Sequence, residues 1–224
     1  MKKLYFVIVV IITFLSTTFA QQNSLAVAGE RHLKNIRQLS FGGENAEAYF
    51  SFDGKQLIFQ SKRDGRACDQ IYAMNIDGSN VHMVSNGEGR TTCSYFFKGG
   101  KKVLYASTFG GKKECPPPAD YTKGYVWAIY PDYEIYTATP DGKNIKNLTN
   151  SPGYDAEATI SPDGKKIVFT SERDGDLEIY SMDINGKNIK RLTHEPGYDG
   201  GAYFSPDNKT IVHPGSTPPH GQLL

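Results

Sequence analysis

Residues 189–209 read IKRLTHEPGYDGGAYFSPDNK, and residues 145–165 read IKNLTNSPGYDAEATISPDGK. The two phrases agree at 13 of 21 positions and begin 44 residues apart. Two weaker copies fit the same frame, VHMVSNGEGRTTCSYFFKGGK at 81–101 and IRQLSFGGENAEAYFSFDGK at 36–55. A repeat of this period indicates a fold built from similar units that stack on one another.

Each copy is followed by the same order of short β-rich segments and turns. A first segment reads VLYAS (103–107) or IVFTS (167–171), and a second reads EIYTAT (134–139) or EIYSMD (178–183). Asp-Gly or Asn-Gly then follows, and these dipeptides supply the positive φ angles that tight hairpins need. Four short antiparallel strands in about 40 to 45 residues predict one blade of a β-propeller, so the fold class is all-β.

The combined pattern L-T-x-x-P-G-Y-D-x-x-A-x-x-S-P-D-G-K-K-I-x-F-x-S-x-R-D-G-x-x-x-I-Y-x-M resembles the repeat of the TolB-type periplasmic β-propellers. The resemblance covers residues 30–212 and is strongest in 145–209. It implies a propeller of about six blades in the periplasm that binds other proteins, with a role in the Tol-Pal envelope system. The chain has no room for the small α/β domain that precedes the propeller in TolB itself.

The repeats predict an isolated outer strand, three complete four-stranded blades and the first two strands of another blade. Their expected positions are 36–40, then 47–85, 91–149 and 157–193, and finally a segment that ends near Val212. This count predicts an incomplete ring derived from the parent propeller. An open ring would leave strand edges unpaired, so self-association through those edges is also expected.

The last repeat breaks where an apolar strand should continue, because it reads IVHPG in place of IVFTS. Proline cannot donate to a sheet ladder and glycine weakens one. Residues 213–224 are therefore interpreted as an irregular tail. A natural C-terminal coil is one explanation, and a truncated or frame-shifted propeller is the favoured one.

Residues 1–20 have the pattern of a secretory signal peptide, with a basic start, a short apolar run and small residues at its end. Cleavage after Ala20 or after Ala28 would satisfy the small-residue rule. No later segment is apolar enough to span a membrane, and removal of the leader leaves 23 basic against 24 acidic side chains. We therefore expect a periplasmic or secreted protein with no stable membrane span and no affinity for nucleic acid.

Three cysteines, Cys68, Cys93 and Cys115, would meet an oxidising compartment after export. One disulfide and one free thiol are expected, and all three pairings remain open. The spacing includes no C-x-x-C pair, which disfavours a zinc site, and no cofactor is expected.

The sequence has no G-x-S-x-G elbow and no metal or carboxylate cluster at a recognised spacing. It therefore favours a non-catalytic scaffold that binds a protein or peptide in the cell envelope. The alternative is a fragment of a propeller that serves a peptidase-type hydrolase or a transporter, with the catalytic part missing.

Strand direction divides the loops between two faces, if the strands of a blade are named a to d from the centre outwards. The a-to-b and c-to-d turns, which include Lys143 and Lys187, are explained by turn chemistry and are expected to be inert. The other face carries the d-to-a connections, the b-to-c loops and an insertion at 109–136. An Arg and an Asp repeated in the b-to-c loops are expected to pair with the next blade.

The predicted partner-binding residues lie on this second face, because long loops on a repeat scaffold are common recognition sites. Glu47 and Glu157 precede innermost strands, so they are expected at the mouth of the channel, where a peptide, a basic side chain or a cation could bind. Half of the aromatic residues in the insertion would, in a competing interpretation, only cover the edge of the blade. The other predicted residues are Arg90, Tyr125, Trp127, Tyr130, Tyr133 and Asp155.

Overall fold

The computed structural model describes residues 25, 29–122, 124 and 126–214. The predicted signal peptide, residues 215–224 of the predicted tail and Tyr125 lie outside these residues. The chain divides into two units, Met1–Gln38 and Leu39–Leu224, and all the strands belong to the second. Within the described residues there is no helix, and hence none that is long and apolar enough to cross a membrane.

The second unit contains three four-stranded antiparallel sheets and one two-stranded sheet, each with its strands in chain order. Blade 1 comprises β1 (Glu44–Phe50), β2 (Gln56–Lys62), β3 (Gln70–Asn75) and β4 (His82–Met83). Blade 2 comprises β5 (Thr91–Phe96), β6 (Val103–Ser107), β7 (Glu134–Ala138) and β8 (Lys146–Asn147), and blade 3 comprises β9 (Asp155–Ile160), β10 (Lys166–Ser171), β11 (Glu178–Asp183) and β12 (Lys190–Arg191). The partial blade comprises β13 (Tyr203–Phe204) and β14 (Ile211–Val212). The predicted all-β blade architecture is confirmed.

The predicted outer strand at 36–40 is wrong, because these residues join no sheet. The outer strand of each complete blade pairs with the third strand of its own blade. Leu39 nevertheless packs against the Leu57 and Phe59 side chains of blade 1. A Cβ added to Gly78 would lie 3.2 Å from the Leu39 carbonyl oxygen, and Gly186 approaches the Leu148 carbonyl in the same way. Leu39 thus keeps the packing of an outer-strand residue without the hydrogen-bond ladder of a strand.

Neighbouring blades are joined by apolar clusters, because consecutive residues of a strand point to opposite faces of its sheet. Val103 of β6 packs with Ile58 and Ile71 of blade 1. Leu104, the next residue, packs with Ile167 and other side chains of blade 3. The middle blade is therefore buried on both faces, and its position fixes the two blades that flank it.

The repeated arginine and aspartate of the b-to-c loops act within a blade, so the prediction that they pair with the next blade is wrong. The aspartate accepts from the tyrosine of the third strand of its own blade, Asp64 from Tyr72 and Asp174 from Tyr180. Arg173 donates from Nη2 to both carboxylate oxygens of Asp155, at 3.0 and 3.1 Å, and its guanidinium lies 5.3 Å from the Phe169 ring centre. Arg63 lies over Phe59 of blade 1 in the same way. The reason is topological: the loop after the second strand returns beside the start of the first strand of the same sheet.

Candidate binding groove

The first strands of the three blades are neighbours and carry a β-bulge at the same repeat position. The bulged residues are Glu47, Cys93 and Glu157, with φ angles of 50°, 48° and 55°. Gly201 occupies the matching position of the last repeat, with a φ of 58°. Positive φ is uncommon for residues that carry a Cβ, and a bulge changes the direction of the side chain that it carries. The fold thus collects these four positions in one place.

A cavity of about 630 Å³ runs along the first strands, from the bulges to the a-to-b turns, and we call it the inner-strand groove. This volume lies within the range of about 300 to 1,000 Å³ that is usual for ligand sites. Its described lining includes the carboxylates of Glu47 and Glu157 and no lysine, arginine or histidine. The aromatic side chains of the lining are Tyr49, Phe52, Tyr95, Trp127, Tyr198, Tyr203 and Phe204.

The Glu157 carboxylate is buried and surrounded by neutral hydrogen-bond donors. One oxygen accepts from the Thr170 hydroxyl at 2.6 Å, the Tyr198 hydroxyl at 2.8 Å and the Gly201 N–H at 2.7 Å. The other oxygen accepts from the Tyr154 hydroxyl at 3.3 Å. The Gly201 N–H comes from the matching position of the following repeat, so this carboxylate also links blade 3 to the partial blade.

Glu47 has the same backbone conformation but fewer donors. Its Oε2 atom is buried, with no hydrogen-bond partner among the described residues. Burial raises the pKa of Glu47, hydrogen bonding from Cys93 lowers it, and the charge of Glu157 raises it again. Burial also raises the pKa of the Cys93 thiol, with a further increase from the two carboxylates, so the thiol stays protonated at neutral pH.

Tyrosines form one wall of the groove beyond the bulges. The Tyr49 and Tyr95 ring centres are 5.3 Å apart, and the Phe52 ring meets Tyr95 edge-on at 6.4 Å. Burial raises the pKa of Tyr49 to about 12, so its hydroxyl is neutral. Tyr49 and Tyr95 each stand two residues after a bulge, Tyr203 stands two residues after Gly201, and Thr159 takes that position in blade 3. The sequence analysis missed these tyrosines, although an alignment of the repeats on the bulge residue would have revealed them.

The insertion of blade 2 reaches the groove through Trp127, whose side chain is 47% exposed and lines it. Arg90 and Tyr130 lie behind this tryptophan, around a second cavity of about 200 Å³. The Arg90 guanidinium is 5.6 Å from the Tyr130 ring centre and 3.7 Å from the Asp69 carboxylate, and the Tyr130 hydroxyl donates to the Pro117 carbonyl at 2.8 Å. Arg90 and Tyr130 therefore hold the insertion in place.

Two of the predicted partner-binding side chains are buried in the fold. Tyr133 is 4% exposed and meets the Tyr154 ring edge-on at 5.6 Å, as the competing interpretation of the insertion expected. Asp155 is 0% exposed and is bonded to Arg173. We assign both side chains to structural contacts and leave them out of the binding surface.

The cysteines lie in different surroundings. Cys68, in the b-to-c loop of blade 1, forms a disulfide with Cys115 of the insertion, with 5.7 Å between the Cα atoms. Cys93 is a free, buried cysteine at the bulge of blade 2. The structure thus selects one of the three pairings. Within the part of the chain that the structure describes, no group of three or more His, Cys, Asp or Glu side chains is placed to hold a metal ion.

Comparison with known protein families matches residues 129–218 to the TolB beta propeller domain. Over these residues the chain is a TolB-like β-propeller. The protein TolB homolog of Chlorobium chlorochromatii is 28% identical over 142 residues, which are 54% of this chain and 32% of that protein. The solved structure of a putative TolB from Agrobacterium tumefaciens has the same fold, with a TM-score of 0.58 at 23% identity over 77% of this chain and 61% of that chain.

A peptidase is also similar to this chain. Dipeptidyl-peptidase 5 of Porphyromonas endodontalis is 23% identical over 124 residues, which are 54% of this TolB-like chain and 15% of the peptidase. The chain therefore spans about a third or less of the length of these two curated relatives. The sequence similarity of this chain therefore extends to a peptidase as well as to a TolB homolog.

Proposed function

We propose that this protein is a non-catalytic propeller of the periplasm that binds a protein or peptide in the inner-strand groove, in an envelope process of the Tol-Pal type. The observation that carries the proposal is the groove itself, which has the volume of a ligand site and an aromatic lining. The signal-peptide pattern at residues 1–20 and the similarity to the TolB homolog support the location and the type of process.

The chemistry of the described lining favours binding over catalysis. A nucleophile needs a neighbouring base or a lowered pKa. The Cys93 thiol has a pKa well above its usual value because of burial, and no histidine stands among the described lining residues to activate it. The oxygens of Glu157 already accept hydrogen bonds from four groups of the fold. These side chains therefore shape and charge the groove without the arrangement that group transfer requires.

The insertion presents Trp127 on a fixed support. The Cys68–Cys115 disulfide ties its first half to blade 1, and the Arg90 guanidinium packs over Tyr130 in its second half. A surface that is ordered before binding loses less conformational entropy when the partner arrives. Trp127 is thus suited to act as an anchor, the role in which tryptophan is enriched at interfaces.

A second candidate function is a propeller that serves a peptidase, and the similarity to dipeptidyl-peptidase 5 favours it. In that case the groove would receive the peptide substrate of a catalytic domain. Both candidates use the same groove, but the class of captured partner separates them. A stable envelope protein supports the first candidate, and a hydrolase or its peptide substrate supports the second.

The test is capture from envelope extracts with the immobilised full chain. Trp127→Ala and Tyr203→Ala should each weaken capture of the main partner by about 30-fold, because truncation of a central aromatic residue costs about 2 kcal/mol or more. Lys143→Glu and Lys187→Glu are the controls, since these exposed side chains lie in the c-to-d turns. Circular dichroism confirms that all variants are folded. Loss of capture in the lysine variants, with capture intact in both aromatic variants, would contradict the proposal.

A further inference from the structure

The inner-strand groove has two acidic side chains and no basic one among its described lining residues. We propose that it receives the ammonium or guanidinium group of a lysine or arginine in an extended peptide. This inference deepens the proposed binding function and depends on it, because it names the class of residue that the partner would insert.

The charge of Glu157 is held in place but not neutralised. All four of its donors are uncharged hydroxyl or N–H groups, and no ion pair joins it to a described lysine, arginine or histidine. Neutral donors stabilise a carboxylate by orientation, yet the net charge remains. A buried negative charge of this kind attracts a cation more strongly than an exposed one, because water screens it less.

Glu47 adds a second charge close to the first. The charge of Glu157 acts on its carboxyl group, and its Oε2 atom is buried with no hydrogen-bond partner among the described residues. An unsatisfied buried carboxylate oxygen is costly, so a cationic donor that enters the groove would remove a cost already present in the free protein. Blade 2 has Cys93 at the matching position, so it supplies no cation between the two acids.

The aromatic lining is suited to the same ligand. The faces of tryptophan and tyrosine rings carry a negative quadrupole, and lysine or arginine groups bind over them. Trp127, Tyr49 and Tyr95 all line the groove that contains the two carboxylates. An acidic peptide would meet two like charges and no basic side chain in the described lining. The site is therefore selective in sign as well as in shape.

The far end of the groove indicates what should flank the cation. Ile160, Pro162 and Phe204 line it, and no charged side chain stands beside them among the described lining residues. The groove volume of about 630 Å³ also exceeds what a single side chain fills. The expected ligand is thus a short segment in which a lysine or arginine stands next to apolar residues.

The test uses the fluorescence of Trp127, the only tryptophan of the chain. The full chain is titrated with the synthetic peptide acetyl-Gly-Leu-Lys-Leu-Gly-amide and with matched peptides that carry glutamine or glutamate in place of lysine. We expect the lysine peptide to bind at least about 10-fold more tightly than the glutamine peptide, and the glutamate peptide to bind most weakly. Equal affinities for the three peptides would overturn the inference. Butylammonium chloride that binds as tightly as the lysine peptide would overturn the part that requires a peptide.

Glu47→Gln should reduce the affinity for the lysine peptide by about 10-fold and leave that for the glutamine peptide unchanged. Glu44→Gln is the matched control, because it makes the same change of charge at an exposed residue of the same strand that does not line the groove. If Glu47→Gln does not fold, the salt dependence of peptide binding by the unmodified protein tests the inference instead. Added NaCl should weaken binding of the lysine peptide only, and equal weakening of both peptides would contradict the inference.

The outcomes also separate the inference from the proposed function. Equal peptide affinities, combined with envelope capture that depends on Trp127 and Tyr203, would contradict the cationic ligand and leave the binding function intact. Envelope capture that ignores both aromatic residues would contradict the proposed function itself.

Discussion

Blades 1 and 3 have nearly the same sequence at their loops, and they use it differently. Arg63 of blade 1 donates to the Asn45 amide oxygen at 3.3 Å, whereas Arg173 of blade 3 donates to both oxygens of the fully buried Asp155. A change from asparagine to aspartate at one position thus converts a hydrogen bond from arginine to a neutral acceptor into a buried ion pair. The blade motif fixes where the arginine points, and its partner fixes how much the contact stabilises the fold.

The bulge residues show the same contrast. Glu47 and Glu157 share a positive φ, but the Gly201 N–H and the Tyr198 hydroxyl approach only Glu157. Glu47 instead faces Cys93 and keeps a buried oxygen without a partner among the described residues. The conformation of each bulge follows from its own blade, while the environment of its carboxylate follows from the next blade. The carboxylate of blade 3 therefore has four donors from the fold, whereas the carboxylate of blade 1 has fewer.

The largest expected effect distinguishes the two arginines. Arg173→Ala should reduce the free energy of unfolding by about 3 to 5 kcal/mol, because it leaves the buried Asp155 charge without its partner. Arg63→Ala should cost about 1 kcal/mol, since its partner is neutral and exposed. Urea unfolding followed by circular dichroism measures both losses. Equal losses of unfolding free energy in the two variants would contradict the claim that the ion pair makes the blade 3 contact stronger than the blade 1 contact.

Loss of the Cys68–Cys115 disulfide should have the second-largest effect on stability. This bond joins blade 1 to the insertion and has no counterpart among the described residues of blade 3. A double change to serine should cost about 2 to 4 kcal/mol through the greater entropy of the unfolded chain. Thiol titration of the unreduced, denatured protein should find one thiol, from Cys93. Three titratable thiols would show that the bond does not form, and Cys93→Ser, with no remaining thiol, is the control.

Glu157→Gln should reduce the free energy of unfolding by about 2 kcal/mol. The reason is that the NH₂ group of glutamine would face hydrogen-bond donors that now donate to a carboxylate. Glu47→Gln is the matched change in blade 1, where few donors would be affected. Thermal unfolding at pH 7 compares the two variants. A loss at Glu47 as large as the loss at Glu157 would contradict the contrast between the bulges.

The smallest effect concerns pH. Burial raises the pKa of Glu47 above its usual value of 4.5, so the folded state binds its proton more tightly than the unfolded state does. The stability from this group is present below the unfolded-state pKa and is lost as pH rises through the folded-state pKa. Glu47→Gln should therefore remove a small loss of stability that begins near the usual pKa of 4.5 and grows as the pH rises. The Glu47 carboxyl group is also influenced by Cys93, Glu157 and Asp69. The control is Glu44→Gln, which removes the same charge at an exposed residue of the same strand.

The repeat was sufficient to predict the blades, because Asp-Gly and Asn-Gly turns and alternating strands are local features. The positions of β1 to β14 agree with that prediction, apart from the segment at 36–40. The sequence also placed Glu47, Glu157 and Trp127 on one face, and the structure brings them to one groove. This part was predictable because strand direction alone decides the face.

Burial was harder to predict because it depends on the neighbouring blade. Nothing within the repeat indicates that the Asp155 side chain is enclosed or that Tyr133 packs on Tyr154. In blade 2, Phe109 occupies the repeat position that Arg63 and Arg173 occupy in the other blades, and the insertion obscures this equivalence in the sequence. The ring centres of Phe109 and Tyr136 are 4.3 Å apart. These contacts join segments far apart in the chain, so composition and spacing do not reveal them.

The most direct test of the groove as the binding surface is photo-cross-linking to the captured envelope partner. A photoreactive p-benzoylphenylalanine replaces Tyr203, which lines the groove and is 53% exposed, or Ile76, which is 42% exposed in the c-to-d turn of blade 1. Irradiation followed by mass spectrometry should find the partner joined to position 203 and not to position 76. Cross-links from position 76 alone, with both variants folded, would contradict the account.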